Sequence, residues 1–157
     1  MEAMVPRPKR ALDVAMGRGR HTLILARGGF RTFGVDVVPD AVKDAALRAS
    51  REGLMLRGWC ADLTRSPLPV ARFDLVLVAR YLQRDLFQSI RKAIVPGGLV
   101  LYETFTVRQR SLGAGPRSAD HLLEPGELRE RFAGFEVLFY EEVVEGEAVA
   151  RLVARRP

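Results

Sequence analysis

The chain has 157 residues, 48% of them hydrophobic, and a formal net charge of +6. That is the length of one domain, able to bury about 70% of its unfolded surface. It sets the expectation of a cytoplasmic chain: no apolar run reaches the roughly 18 residues of a membrane span, Met1–Pro6 lacks a leader's apolar stretch, and the single Cys60 rules out an internal disulfide.

All but three of the 25 basic residues are arginine, and asparagine is absent. Lack of that labile amide suits a thermophile, and the arginine bias equally suits a GC-rich genome. The arginines are scattered along the sequence and read as a solvated basic surface. Nucleic-acid binding, which prefers a clustered stripe, is therefore not expected. Arg108, Arg110 and Arg117 form the one local concentration.

Residues 1–9, with Pro6 and Pro8, read as a frayed lead-in. A first strand follows over 10–15, then a helix over 19–28 that stops at Gly28-Gly29. The second strand covers 31–36. The next helix starts near Pro39, tolerated in a first turn, and carries Ala41, Val42, Ala45, Ala46 and Ala49 before Gly53. The third strand is 54–60. Residues 63–71, with two prolines, form a loop. The fourth strand is 73–79, followed by a helix over 83–94 with Leu86, Phe87, Ile90 and Ile94 on its apolar face. The fifth strand is 98–105. Residues 106–120, rich in Gly, Ser and Arg, form a loop of a length that is usually functional or mobile. A short helix over 125–133 leads into a β-hairpin, 136–144 and 147–154, around Gly146. Apolar strands alternating with helices predict a parallel sheet covered on both faces.

The run Arg10-Ala-Leu-Asp-Val-Ala-Met-Gly-Arg-Gly-Arg20 reads as strand, glycine turn, helix start. Glycines let a backbone approach a ligand closely, and a helix start offers free N–H groups. Asp36, ending the second strand, is placed to accept from both hydroxyls of a ribose. The dinucleotide pattern G-x-G-x-x-G is broken, because Thr22 stands where its third glycine belongs. Instead Asp13, Gly17 and Gly19 make D-x-x-x-G-x-G. With Asp36, Asp62 in Trp59-Cys-Ala-Asp-Leu63, the run Phe73-Asp-Leu-Val-Leu-Val-Ala79 and Pro96-Gly-Gly-Leu-Val-Leu101, this order resembles the class I S-adenosylmethionine-dependent methyltransferases. The Gly-Arg-Gly-Arg-His run and Leu82–Phe87 resemble the small bacterial branch related to tellurite-resistance methyltransferases.

That resemblance implies a Rossmann-like, three-layer α/β fold with strand order 3-2-1-4-5-7-6 and one antiparallel strand. It implies one methyltransferase domain over 1–157, without the cover helix that usually precedes the first strand. Met16 also departs from relatives, which commonly carry a small residue or Cys there. S-adenosylmethionine is the implied cofactor. Its expected contacts are Asp13, Ala15, Gly17, Gly19 and Arg20 from the first strand and turn. Asp36 and Val37 follow on the ribose, then Ala61, Asp62 and Leu63 on the adenine, and Ala79 beyond the fourth strand.

Methyl transfer needs an acceptor held in line and kept dry, with a base only where the acceptor must lose a proton. Neither a Ser-His-Asp set nor a metal-ligand cluster is expected. Arg80 and Tyr81, after the fourth strand, are expected to face the acceptor pocket, with Tyr81 packing against the cofactor or orienting the acceptor, or else forming a wall. Glu103 is expected to bind a cationic acceptor or take a proton, or else to pair with an arginine. His121, in the loop before the last helix, is the candidate base, or else an ordinary loop histidine. Arg20 and His21 are candidates for the cofactor's carboxylate. Trp59 reads as core or a platform edge, and Cys60 as a small buried hydrophobe of the third strand. The expected partner is a small-molecule acceptor, with a homodimer as one way to cover the pocket. An RNA or protein methyltransferase and a non-catalytic cofactor- or nucleotide-binding module stand as alternatives.

Overall fold

Seven strands form one sheet in a computed structural model that describes residues 6–157. Met1–Val5, part of the expected lead-in, lie outside the described residues. The strands are β1 (Arg10–Val14), β2 (Arg31–Asp36), β3 (Leu56–Cys60), β4 (Phe73–Ala79), β5 (Ile94–Phe105), β6 (Glu136–Glu145) and β7 (Glu147–Arg155). The α-helices are α1 (Arg20–Arg27), α2 (Pro39–Arg51), α3 (Phe87–Ala93) and α4 (Glu127–Arg131). The strand order is β3-β2-β1-β4-β5-β7-β6, as expected. Pairing is parallel from β3 through β5, and β7 runs antiparallel to both its neighbours.

The central strands are apolar on both faces because both faces are covered. On one, Leu12, Val14, Val35, Val76 and Val78 meet Phe87 and Ile90 of α3. Phe87 stacks on Tyr102, with centroids 5.5 Å apart, and takes Phe132 edge-on. On the other, Ala11 and Leu75 meet Leu25 of α1. Met16, the unusual residue after β1, lies across Gly34 of β2 and Gly58 of β3. Its thioether fills the volume that side chains at those glycines would take. Among the described residues, no helix is long and apolar enough to cross a membrane.

Several boundaries differ from expectation. β1 stops at Val14 because Ala15 turns to φ 54°. β3 begins at Leu56, since the Leu54 N–H is used to close the end of α2 on Ala49. The expected helix over 83–94 is a 3₁₀ turn, Arg84–Leu86, followed by the shorter α3. Ile94 is already extended and pairs with Phe73, so β5 begins four residues early and carries Pro96-Gly97-Gly98 as an irregularity. Proline biases its predecessor toward extended backbone. The helix expected over 125–133 contracts to α4, because Gly126 sits at φ 75°.

The segment 106–120 is not a featureless loop. It holds 3₁₀ turns at Val107–Leu112 and Ala119–His121. Gln109 is buried there; its Oε1 accepts from the Ala148 N–H at 2.7 Å and its Nε2 donates to the Ala114 carbonyl at 2.8 Å. Cys60, expected inside, is exposed on the edge strand β3, where its thiol donates to the Val37 carbonyl.

Candidate functional site

The carboxyl ends of β1, β2, β3 and β4 meet where the strand order reverses, the position at which open α/β sheets bind ligands. Gly17 and Gly19 take φ 55° and 83° in the turn after β1. A side chain at Gly19 would stand 2.9 Å from Ala45 of α2, so the glycine lets the two helices approach. Asp36 closes the turn: its Oδ2 accepts from the Gly17 N–H at 2.9 Å and its Oδ1 from the Val38 N–H at 2.9 Å. A carboxylate offers about four lone-pair directions, so about two remain for a ligand.

Beside Asp36 opens a cleft of about 400 Å³ lined by Ala15, Val37, Ala61, Asp62, Leu63, Thr64, Arg80 and Tyr81. Six of the expected cofactor residues therefore share one wall system: Ala15, Asp36, Val37, Ala61, Asp62 and Leu63. Gly17 joins them through its N–H. Asp62 is exposed; its Oδ1 accepts from the Thr64 N–H at 2.9 Å and hydroxyl at 2.6 Å, contacts that hold its carboxyl below the usual range. Ala15 and Arg80, both at positive φ, flank the cleft from β1 and β4. Such conformations cost about 1–3 kcal/mol each and concentrate where a ligand is held.

The remaining expected contacts lie elsewhere. Asp13 is 1% exposed beneath the cleft and does not line it. Its Oδ2 accepts from the Thr22 hydroxyl at 2.7 Å, which anchors α1 to β1. Burial raises its carboxyl to about 6 against that bond. Arg20 is exposed and its guanidinium donates to Nε2 of His21 at 3.2 Å. Ala79 belongs to a second cavity, of about 230 Å³, reached from the same strand ends. Leu77, Leu101, Phe139 and Val153 give it apolar walls, and His21, Glu103 and Arg151 stand at its polar side.

The three expected catalytic groups separate. Tyr81 stays in the first cleft, where its hydroxyl donates to Gln83 and Gln83 in turn donates to the Leu63 carbonyl at 2.9 Å. Burial, with Asp62, Asp85 and Asp36 behind it, raises its phenol, which keeps it a donor. Glu103 lies in the second cavity but is bound to Arg151 at 2.5 Å, and Arg151 holds Glu141 at 2.9 Å. His121 is exposed on the 3₁₀ turn Ala119–His121 and lines neither cavity. The histidine at the site is His21, which burial and then Arg20 hold below its ordinary pKa. Arg20 donating to its Nε2 leaves the ring proton on Nδ1.

Sequence reasoning did not single out Gln83, Arg151 or Gln109. Gln83 and Arg151 act through partners distant in sequence, and only the fold brings these together. Arg80, expected to face the acceptor, turns its guanidinium to Glu147 in a two-point pair, 2.9 and 2.7 Å, above the Phe105 ring.

A methyltransferase domain family matches residues 11–98. The chain is 28% identical over 121 residues to the ubiquinone biosynthesis O-methyltransferase of Idiomarina loihiensis, covering 73% of this chain and 50% of that one. It is 34% identical over 110 residues to the demethylmenaquinone methyltransferase of Deinococcus radiodurans, 65% of this chain and 46% of that one. It thus spans about half the length of these curated relatives. Among solved structures, TehB of Haemophilus influenzae superposes with a TM-score of 0.77 at 18% identity, over 96% of this chain and 58% of that one.

Proposed function

The chain belongs to the methyltransferase domain family, and from that premise we propose that it moves a methyl group from S-adenosylmethionine to a small apolar acceptor in the cytoplasm. The observation that carries the reading is Asp36. It is a half-buried carboxylate at the tip of β2, fixed by the Gly17 and Val38 amides with lone pairs to spare.

When bound, the cofactor supplies a methyl already activated by positive sulfur. The work left to the chain is to hold, orient and exclude water. Asp36 accepts from the ribose hydroxyls, each charge-assisted bond contributing about 1.5–3 kcal/mol. Val37, Ala61 and Leu63 flank the purine. Asp62, already tied to Thr64, takes the exocyclic amine. The turn at Gly17 and the start of α1 receive the amino-acid end.

The acceptor occupies the second cavity, whose mouth at Ala79 adjoins the cleft at Arg80. Its apolar walls and its volume of about 230 Å³ suit a small aromatic acceptor, whose own ring would displace water from it. The names of the two curated relatives, both from quinone biosynthesis, support the same class. Where the accepting atom is a hydroxyl, neutral His21 is the group placed to take its proton, on Nε2 once the acceptor displaces the exposed Arg20 contact, and Glu103, locked to Arg151, orients rather than abstracts.

The test supplies methyl-labelled S-adenosylmethionine with phenols and quinols of graded size and measures S-adenosylhomocysteine. Turnover is expected with at least one phenolic acceptor. Filling the cavity with Leu101→Trp should raise its KM about tenfold while leaving cofactor affinity unchanged. Cofactor binding without turnover on any acceptor would instead identify a non-catalytic module.

A further inference from the structure

Five arginines that are scattered in sequence converge at the opposite end of the sheet from the cleft. Parallel pairing sets Arg10 beside Arg31, and Phe33 beside Arg57. Strand alternation puts these side chains on the face away from Gly34 and Gly58, and so away from Met16 and α2. Arg72 joins from the turn before β4. Arg10, Arg31, Arg57 and Arg72 line a cleft of about 460 Å³ with Phe33, Trp59, Pro69 and Phe73. Arg7 is the largest electrostatic influence on Arg10, and together with burial, Arg31 and Arg72 it lowers the Arg10 pKa.

Buried faces of parallel sheets do not ordinarily carry such a set. In the connection from β3 to β4, Leu68 is buried against this face and Ala61 and Leu63 pack partly on it, while Phe33 and Trp59 stay half exposed. Among the described residues, none of the five arginines takes part in an ion pair. Asp74, the carboxylate that attracts Arg10, is engaged by the Arg10 main-chain N–H at 2.8 Å. Nε of Arg10 is buried without a hydrogen-bond partner, and it alone has that status among the described side-chain nitrogens and oxygens. Arg31 and Arg57 each stand 6.0 Å from the Phe33 ring centroid.

A second copy of the chain is a poor occupant, because a two-fold contact would set these arginines against their own equivalents. An apolar partner would leave Nε of Arg10 unanswered. The missing element is negative charge, beside aromatic faces of the kind on which bases stack. We propose that this cleft binds a nucleotide phosphoester, free or within a single strand, with its phosphate among the arginines and its base on Trp59. The site is separate from the cofactor cleft and does not depend on the methyl-transfer reading.

Trp59 is the only tryptophan, so its fluorescence reports this cleft directly. The full chain is titrated with a short oligouridylate, with uridine monophosphate and with inorganic polyphosphate. Quenching by the oligonucleotide is expected. Affinity should fall about 20- to 50-fold over a roughly fourfold rise in salt, as for three to four neutralised phosphates. The double variant Arg57→Glu, Arg72→Glu changes exposed side chains. It should lose about tenfold or more in affinity while S-adenosylhomocysteine binding stays unchanged. Quenching by oligouridylate alone supports a strand as ligand, and equal quenching by the mononucleotide supports a free nucleotide. No quenching with either, an unaltered affinity in the double variant, or equal quenching by polyphosphate would overturn the assignment.

Discussion

Asp13 and Asp36 end neighbouring strands, yet the fold gives them different work. Asp36 is half-buried with its oxygens directed at main-chain amides, whereas Asp13 is sealed under Thr22. Burial raises the Asp13 carboxyl from 3.8 to about 6. The folded state therefore holds this proton more tightly than the unfolded chain. Its favourable contribution is complete below about pH 3.8 and is lost as pH rises through 6. Asp13→Asn keeps an acceptor for Thr22 and removes the charge. Denaturant unfolding should show the variant gaining about 2–3 kcal/mol relative to wild type between pH 4 and pH 7. Equal pH slopes for the two proteins would refute this.

His21 carries a second pH expectation. Because burial and Arg20 lower its pKa, it is neutral at physiological pH. For a hydroxyl acceptor, the acid limb of kcat/KM should fall below pH 6.5, and His21→Gln should abolish that limb. A limb retained in His21→Gln and lost in His121→Gln would restore the exposed histidine as base. Composition could not separate the two, since burial distinguishes them and spacing does not.

At the scale of elements, the turn after β1 and the packing beneath it act together. Met16 fills the space over Gly34 and Gly58, so a methyl at Gly34 has no room. Gly34→Ala should cost about 1–3 kcal/mol, and Met16→Ala in the same chain should recover most of that, as measured by a double-mutant cycle. Additive costs would show that the two do not compete. β4 was legible because it is almost wholly apolar, whereas β1, β2 and β3 mix charged residues, Thr or Gly with apolar residues and were legible from the order of motifs around them. The helix ends were less so. Ile94 completes a helical apolar face on paper, but pairing with Phe73 takes it into β5. Gln109 was missed because a glutamine among Gly, Ser and Arg signals only a loop. In the fold it satisfies the Ala148 amide, so Gln109→Ala should leave that amide unpaired at about 1–3 kcal/mol. Hydrogen exchange across 107–115 should then accelerate, and unchanged exchange would show that the segment is held by other contacts.

For the whole molecule, the sheet accounts for what the sequence scatters. It collects Asp36, Asp62 and Tyr81 at the carboxyl ends of the strands, and five arginines at the other end. The first gathering was readable because motif order is a property of the chain. The second was not, because the arginines are neighbours only across strands, and the even scatter along the sequence concealed a dense face. The central claim concerns the first gathering, and calorimetry with S-adenosylhomocysteine tests it most directly. Wild type should bind, and Asp36→Ala should bind at least about 150-fold more weakly, the equivalent of about 3 kcal/mol or more for two lost charge-assisted hydroxyl bonds. Equal affinity in the two proteins, or no heat with wild type, would contradict it.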